Sequence, residues 1–108
     1  MPSTRPNDPT LLILTSLASG EKHGYALLQD IEQFAGVTLG PGTLYGAIAR
    51  LEERGMIEPV QEPGRRRPYR LTASGAAELS DALAEIRAIA DEGRRRLAVR
   101  ASFTGALQ

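Results

Sequence analysis

Thr43, Tyr45 and Arg50 fall within eight residues of one another, directly after Gly40-Pro41-Gly42, and Arg65-Arg66-Arg67 follows in the stretch "QEPGRRRPYRL". Guanidinium groups offer a planar fork of donors that fits phosphate oxygens and the O6/N7 edge of guanine, and hydroxyls add single donors to phosphate. That chemistry is anion recognition, not bond making. The chain has no cysteine and a single histidine, His23, so disulfides, thiolate metal sites and most zinc chemistry are excluded. No acid, base and nucleophile stand together, so neither an enzyme nor a cofactor is expected, and His23 reads as a structural residue. A phosphate-cradling loop at Gly40-Pro41-Gly42 fails as well. It lacks Gly-Lys-Ser/Thr, and glycines at 40, 42 and 46 do not fit G-x-G-x-x-G.

The elements that must carry these residues follow from spacing. Residues 1–8 read as a flexible arm ending on Asp8, an N-cap before Pro9. The first helix, with Leu11, Leu12, Ile13, Leu14 and Leu17, is apolar almost all round, which suits a helix clamped between its own core and another surface. Ser19-Gly20 ends it. A second, amphipathic helix runs from Gly24 to Ala35, with Leu27, Leu28, Ile31 and Phe34 on one face and Gly36 as its stop. A third spans about Pro41 to Arg54, burying Leu44, Ile48 and Leu51 and capped by Gly55. Placed on a helical wheel, that stripe turns Thr43, Gly46, Arg50 and Glu53 outward, with Gly42 and Ala49 beside them and Tyr45 on the flank.

Met56 to Val60 and Tyr69 to Thr72 read as two short strands joined by a Gly-, Pro- and charge-rich turn, with Pro59 confining its strand to an edge. After Thr72 an alanine-rich helix reaches about residue 102, and residues 103–108 are expected to be a flexible tail. Leu79, Leu83, Ile86, Ala90, Gly93 and Leu97 recur by four and three as a heptad seam. The order is that of a mainly α fold with a small β-ribbon: a winged helix-turn-helix over residues 9–72 and a long C-terminal helix over 73–102. Such a helix outruns a three-helix domain, so its outer half calls for a second copy. Leu11, Leu14, Leu79, Leu83, Ile86, Ala90 and Leu97 are the expected dimer contacts.

Formal net charge is zero, but residues 1–64 hold 4 Lys/Arg against 8 Asp/Glu, and residues 65–108 hold 9 against 5. A duplex responds to charge within a Debye length of about 8–10 Å, so a basic ribbon tip can engage phosphate despite the neutral total. The second triplet, Arg94-Arg95-Arg96, reads instead as a solvated helix surface, with Asp91 and Glu92 placed four residues before Arg95 and Arg96. With no apolar run long enough for a membrane span and no secretory pattern at the start, a soluble, cytoplasmic protein is expected.

"HGYALLQDIE" (His23 to Glu32), "GPGTLYGAIARLEERGMI" (Gly40 to Ile57) and "GRRRPYRLTASG" (Gly64 to Gly75) together resemble the PadR-like transcriptional regulators, in the short branch with a single C-terminal helix. Gly40 stands where that family usually has serine, and Gly46 where proline commonly follows Leu-Tyr. The resemblance implies a dimeric DNA-binding regulator, commonly a repressor, often relieved by a small molecule seated between the subunits among the first and last helices. Tyr25, Gly42, Thr43, Tyr45, Gly46, Arg50, Arg65, Arg66 and Arg67 are the candidate contacts to double-stranded DNA. The competing reading keeps the fold as a protein-interaction module, because fold alone does not set function.

Overall fold

A computed structural model of the chain describes residues 5–61, 63 and 67–107. Arg65 and Arg66 lie outside the described residues. The order is α1 (Pro9–Leu17), α2 (Gly24–Ala35), α3 (Pro41–Glu53), β1 (Ile57–Pro59), β2 (Tyr69–Leu71) and α4 (Ala73–Leu107). It is a winged helix-turn-helix followed by one long helix. Among the described residues, no helix is long and apolar enough to cross a membrane.

The Asp8 carboxylate caps α1, accepting from the Leu11 N–H at 3.4 Å, and Pro9 occupies the first turn, where its missing donor costs nothing. Thr10, Leu11, Leu12, Ile13, Leu14, Ser16 and Leu17 are all buried. The second surface that the all-apolar helix called for is supplied within the chain, because α1 packs against α2, α3, α4 and β2. Leu11 and Leu14, expected at a subunit contact, are therefore spent in the core of a single chain. Ser16 is the polar exception inside this helix, and it is satisfied. Its hydroxyl donates to Asp30 of α2 at 2.6 Å, and its carbonyl accepts from the Lys22 ammonium, which lies 3.9 Å from the same carboxylate. Asp30→Ala would strand that buried hydroxyl and remove the carboxylate that faces Lys22, so it is expected to cost about 1–3 kcal/mol. A urea midpoint equal to that of the unaltered chain would refute this.

Leu27 and Ile31 of α2 meet Leu44, Ile48 and Leu51 of α3 and the α1 leucines in the central cluster. Each such side chain contributes roughly 1.5–3 kcal/mol on leaving water. Both helices stop at glycines whose φ of 67° (Gly36) and 73° (Gly55) is left-handed, a conformation that side chains with a Cβ adopt at a cost. The ribbon is antiparallel in the register Ile57↔Leu71, Glu58↔Arg70 and Pro59↔Tyr69. Lys22 extends it from the α1–α2 loop: its N–H donates to the Tyr69 carbonyl at 3.1 Å, and the Tyr69 N–H donates back at 2.9 Å. The start of α2 is thereby tied to the wing.

Thr72 joins the end of α3 to the start of α4. Its hydroxyl donates to the Gly55 carbonyl at 2.7 Å and accepts from the Gly75 N–H at 3.0 Å, while its own N–H donates to the Met56 carbonyl at 3.1 Å. Gly75 lies so close to Met56 that a Cβ there would overlap the Met56 carbonyl oxygen and stand 2.9 Å from its carbon.

Helix α4 has 35 residues, about 52 Å at 1.5 Å per residue. It continues through 103–107, past the expected end at 102, since no proline interrupts it. The chain measures 67 × 25 × 20 Å with a radius of gyration of 17.7 Å, against about 13 Å for a compact domain of this size. The difference is the protruding half of α4. Gly75, Leu79 and Ala82 are buried against the domain, and Ile86 packs at the edge of the core. From Gly93 to Phe103 every residue is exposed.

The heptad seam therefore divides along its length. Leu79, expected at a partner, belongs to the core of its own chain, as Leu11 and Leu14 do. Ile86 and Ala90 are half-buried, whereas Leu83 (45% exposed) and Leu97 (63%) face outward. Periodicity groups residues on one face of a helix without saying what covers each turn of that face.

Candidate nucleic-acid interface

The outer face of α3 carries Gly42, Thr43, Ala49, Arg50 and Glu53, all exposed, with Gly46 half-buried between them. Small residues at three of these positions let another backbone approach closely. Arg50 reaches back along the helix, its Nη1 3.7 Å from where a Cβ on Gly46 would sit. It forms no ion pair among the described residues, with Glu53 or with any other carboxylate. Gly40 is the N-cap of α3 and supplies no side-chain acceptor, which leaves the Gly42 and Thr43 N–H groups pointing out of the first turn. The serine that the resemblance leads one to expect at this position would have filled part of that gap.

Tyr45, 52% exposed, lies on the flank of this face, and its ring rests on Gly24 at the start of α2. Tyr69 of the wing is close by. Partial burial, then the Glu52 carboxylate and the Tyr45 phenol, raise the Tyr69 pKa above the usual phenol value, with Arg67 opposing. Helix α3, the start of α2 and the wing thus converge on one corner of the molecule. Arg67 is exposed beside it. Arg70, also on the wing, is engaged by its cross-strand partner Glu58 at 2.7 Å.

Tyr25 is 67% exposed, and its hydroxyl accepts from the Gln29 amide at 3.2 Å. Its ring lines an open groove of about 660 Å³ with Leu28, Gln29, Glu32, Thr38 and Leu39. Sequence reasoning missed Gly24 and Lys22. The signal was available in "KHGY", where a glycine follows a residue otherwise read only as structural, but its meaning depends on Tyr45, some twenty residues later.

The triplet on α4 is a helix surface with pairings that differ from the expected ones. Glu92 takes both Arg95 and Arg96, the latter at 2.7 Å, while Asp91 turns back toward Arg87 at 3.8 Å. One carboxylate reaches both guanidinium groups, so neither contact needs Asp91. Hydrogen bonds from Arg95 and then Arg96 hold the Glu92 carboxyl below the usual carboxylate range. A lowered folded-state value stabilises at neutral pH and is lost as pH falls through it, so this cluster loosens only in acid.

Residues 13–81 match the family model described as the transcriptional regulator PadR-like family. Among curated proteins the chain is 52% identical over 71 residues to a 37.1 kDa protein in transposon TN4556 of Streptomyces fradiae, covering 66% of this chain and 21% of that one. It is 40% identical over 74 residues to transcriptional regulator Rv3488 of Mycobacterium tuberculosis, covering 66% of this chain and 68% of the relative. The chain thus spans about a fifth of the first relative and about two thirds of the second. Among solved structures, a PadR family transcription regulator from Clostridium difficile superposes with a TM-score of 0.72 at 26% identity, over 82% of this chain and 97% of that one. With a matched segment running from α1 to the first turns of α4 and a curated regulator matched over most of its length, the chain belongs to the PadR-like family of transcriptional regulators.

Proposed function

We propose that the chain is a dimeric, sequence-specific DNA-binding regulator that represses transcription from an inverted-repeat operator and is released by a small-molecule effector. The observation that carries the reading is the exposed Thr43–Gly46–Arg50 face of α3, with Arg50 free of any ion pair among the described residues and small residues around it. Arg50 is assigned to a base edge, where a good bidentate contact discriminates by about 1–3 kcal/mol. Thr43, Tyr45, Tyr25, Arg65, Arg66, Arg67 and the α3 N-terminus are assigned to backbone phosphates, and Gly42 and Gly46 to close approach. Leu83, Ala90 and Leu97 of α4 are assigned to the partner copy. With α1 buried, the effector site belongs along the α4 helices of the two subunits rather than on α1.

The test is selection of bound duplexes from a random pool. Enriched sequences should be inverted repeats with half-site centres one turn apart, about 10–10.5 base pairs or a multiple of it. If six to eight phosphates are neutralised, affinity should fall on the order of a thousandfold or more between 50 and 200 mM salt. No enrichment, with salt-independent retention of a protein partner instead, would favour the interaction-module reading. A ligand panel that never changes DNA release would remove the effector.

A further inference from the structure

Resting on the reading that the α3 face meets duplex DNA, we propose that Gly24 is a positioning residue for Tyr45: its missing side chain makes the seat that holds the Tyr45 hydroxyl toward the DNA backbone. A Cβ built on Gly24 overlaps the Tyr45 hydroxyl oxygen and comes within 3.0 Å of Cζ and 3.3 Å of Cε1. No other neighbour lies within those distances, so the space a side chain would occupy at position 24 is filled by the Tyr45 ring tip. The φ of Gly24 is not in the left-handed region. The backbone there would accept alanine, and only the contact with Tyr45 requires glycine.

What yields to a larger residue decides the consequence. The opposing atoms are the far end of a half-exposed side chain and not backbone, so the ring swings out and the fold survives. The seat is itself held in place. Lys22, two residues before Gly24, is paired with Tyr69 of the wing in both directions, and Lys22 is clipped to Ser16 and Ser19 of the first helix and its exit. The Tyr45 hydroxyl has no hydrogen-bond partner among the described residues, so its donor is free for an external acceptor. A tyrosine ring supplies a donor at a fixed reach with two torsions to order, and packing against Gly24 restrains both before any ligand arrives.

The test is a double-mutant cycle on a duplex that the unaltered chain selects from a random pool, read by fluorescence anisotropy. Tyr45→Phe should weaken binding about tenfold or more, as expected for a lost hydrogen bond to a charged acceptor. Gly24→Ala should weaken binding by a similar factor while melting at or above the unaltered temperature, since alanine favours the helix. In the Tyr45→Phe background Gly24→Ala should have little further effect. The dependence of log affinity on log salt should keep its slope in all three, because a neutral hydroxyl releases no counterion. Unchanged affinity in Gly24→Ala, or losses that multiply in the double variant, would overturn the inference while leaving DNA binding intact.

Failure of the unaltered chain to select any duplex would remove the DNA reading itself. The seat is then judged without DNA from the Tyr45 ring resonances, which should shift and average in Gly24→Ala; identical resonances would overturn it. Should Gly24→Ala melt lower instead, Tyr45→Ala in the same chain decides. Recovery of the melting temperature supports the contact, and no recovery overturns it.

Discussion

Gly75→Ala is expected to cost more stability than alanine at any other described glycine of this chain, on the order of 3 kcal/mol or more, a large share of the roughly 5–15 kcal/mol that holds a domain folded. The added carbon would overlap the Met56 carbonyl oxygen and stand 3.0 Å from Leu71 Cδ1. The obstacle is backbone at the turn between α3 and β1, so no side-chain rotation relieves it. Relief requires α4 to lift off the domain, which breaks the Thr72–Met56 hydrogen bond and the Gly75–Thr72 cap and exposes Leu79 and Ala82. Overpacking alone typically costs 1–3 kcal/mol, and the lost cap and hydrogen bond add to it. Denaturant titration by circular dichroism reads the effect. A midpoint within experimental scatter of the unaltered chain would refute the close docking of α4 on the Met56 carbonyl.

Leu97→Glu is expected to do the reverse, leaving one subunit's fold intact and dissolving the pair. The side chain is 63% exposed on the protruding half of α4, where substitutions within one chain usually change stability by less than about 0.5 kcal/mol. Two glutamates brought together across a two-fold axis repel and lose apolar burial as well. On the proposed reading, separating the subunits also separates two half-site readers, removing an avidity advantage of roughly 10²–10⁴. Light scattering coupled to gel filtration should show the variant at half the unaltered mass, with helicity retained and binding of the selected duplex lost by a comparable factor. An unaltered chain that is itself monomeric would contradict the dimer. A variant that stays dimeric would shift the contact to the other exposed large apolar residues of this helix, Leu83, Ile89, Val99 and Phe103.

Local signals in the residues account well for the elements. Asp8-Pro9 starts α1, Gly36 and Gly55 end α2 and α3 in left-handed turns, and Leu44, Ile48 and Leu51 lie on the buried side of α3 as their spacing implies. These are properties of a few neighbouring residues, where capping and periodicity act. What covers each face is a tertiary matter and was less legible. Leu11, Leu14 and Leu79 looked like partner contacts because they are apolar and regularly spaced, yet the packing of α1 against α2, α3, α4 and β2 buries them within the chain's own core. The reasons for glycine at 24 and 75 lie outside their local sequence: each faces a group from another element, the Tyr45 ring in one case and the Met56 carbonyl in the other. The outward setting of Thr43, Gly46 and Arg50 was readable, since it is the complement of a strong apolar stripe.

Base reading by the α3 face is tested most directly by comparing Arg50→Ala with the unaltered chain on the selected inverted repeat and on a scrambled duplex of the same composition, from 50 to 200 mM salt. Two chains per repeat are expected, with a steep salt dependence and an Arg50→Ala loss of about 1–3 kcal/mol per half-site on the repeat that is much smaller on the scrambled duplex. Equal binding of both duplexes by the unaltered chain, or an Arg50→Ala variant that reads the repeat as well as before, would contradict it.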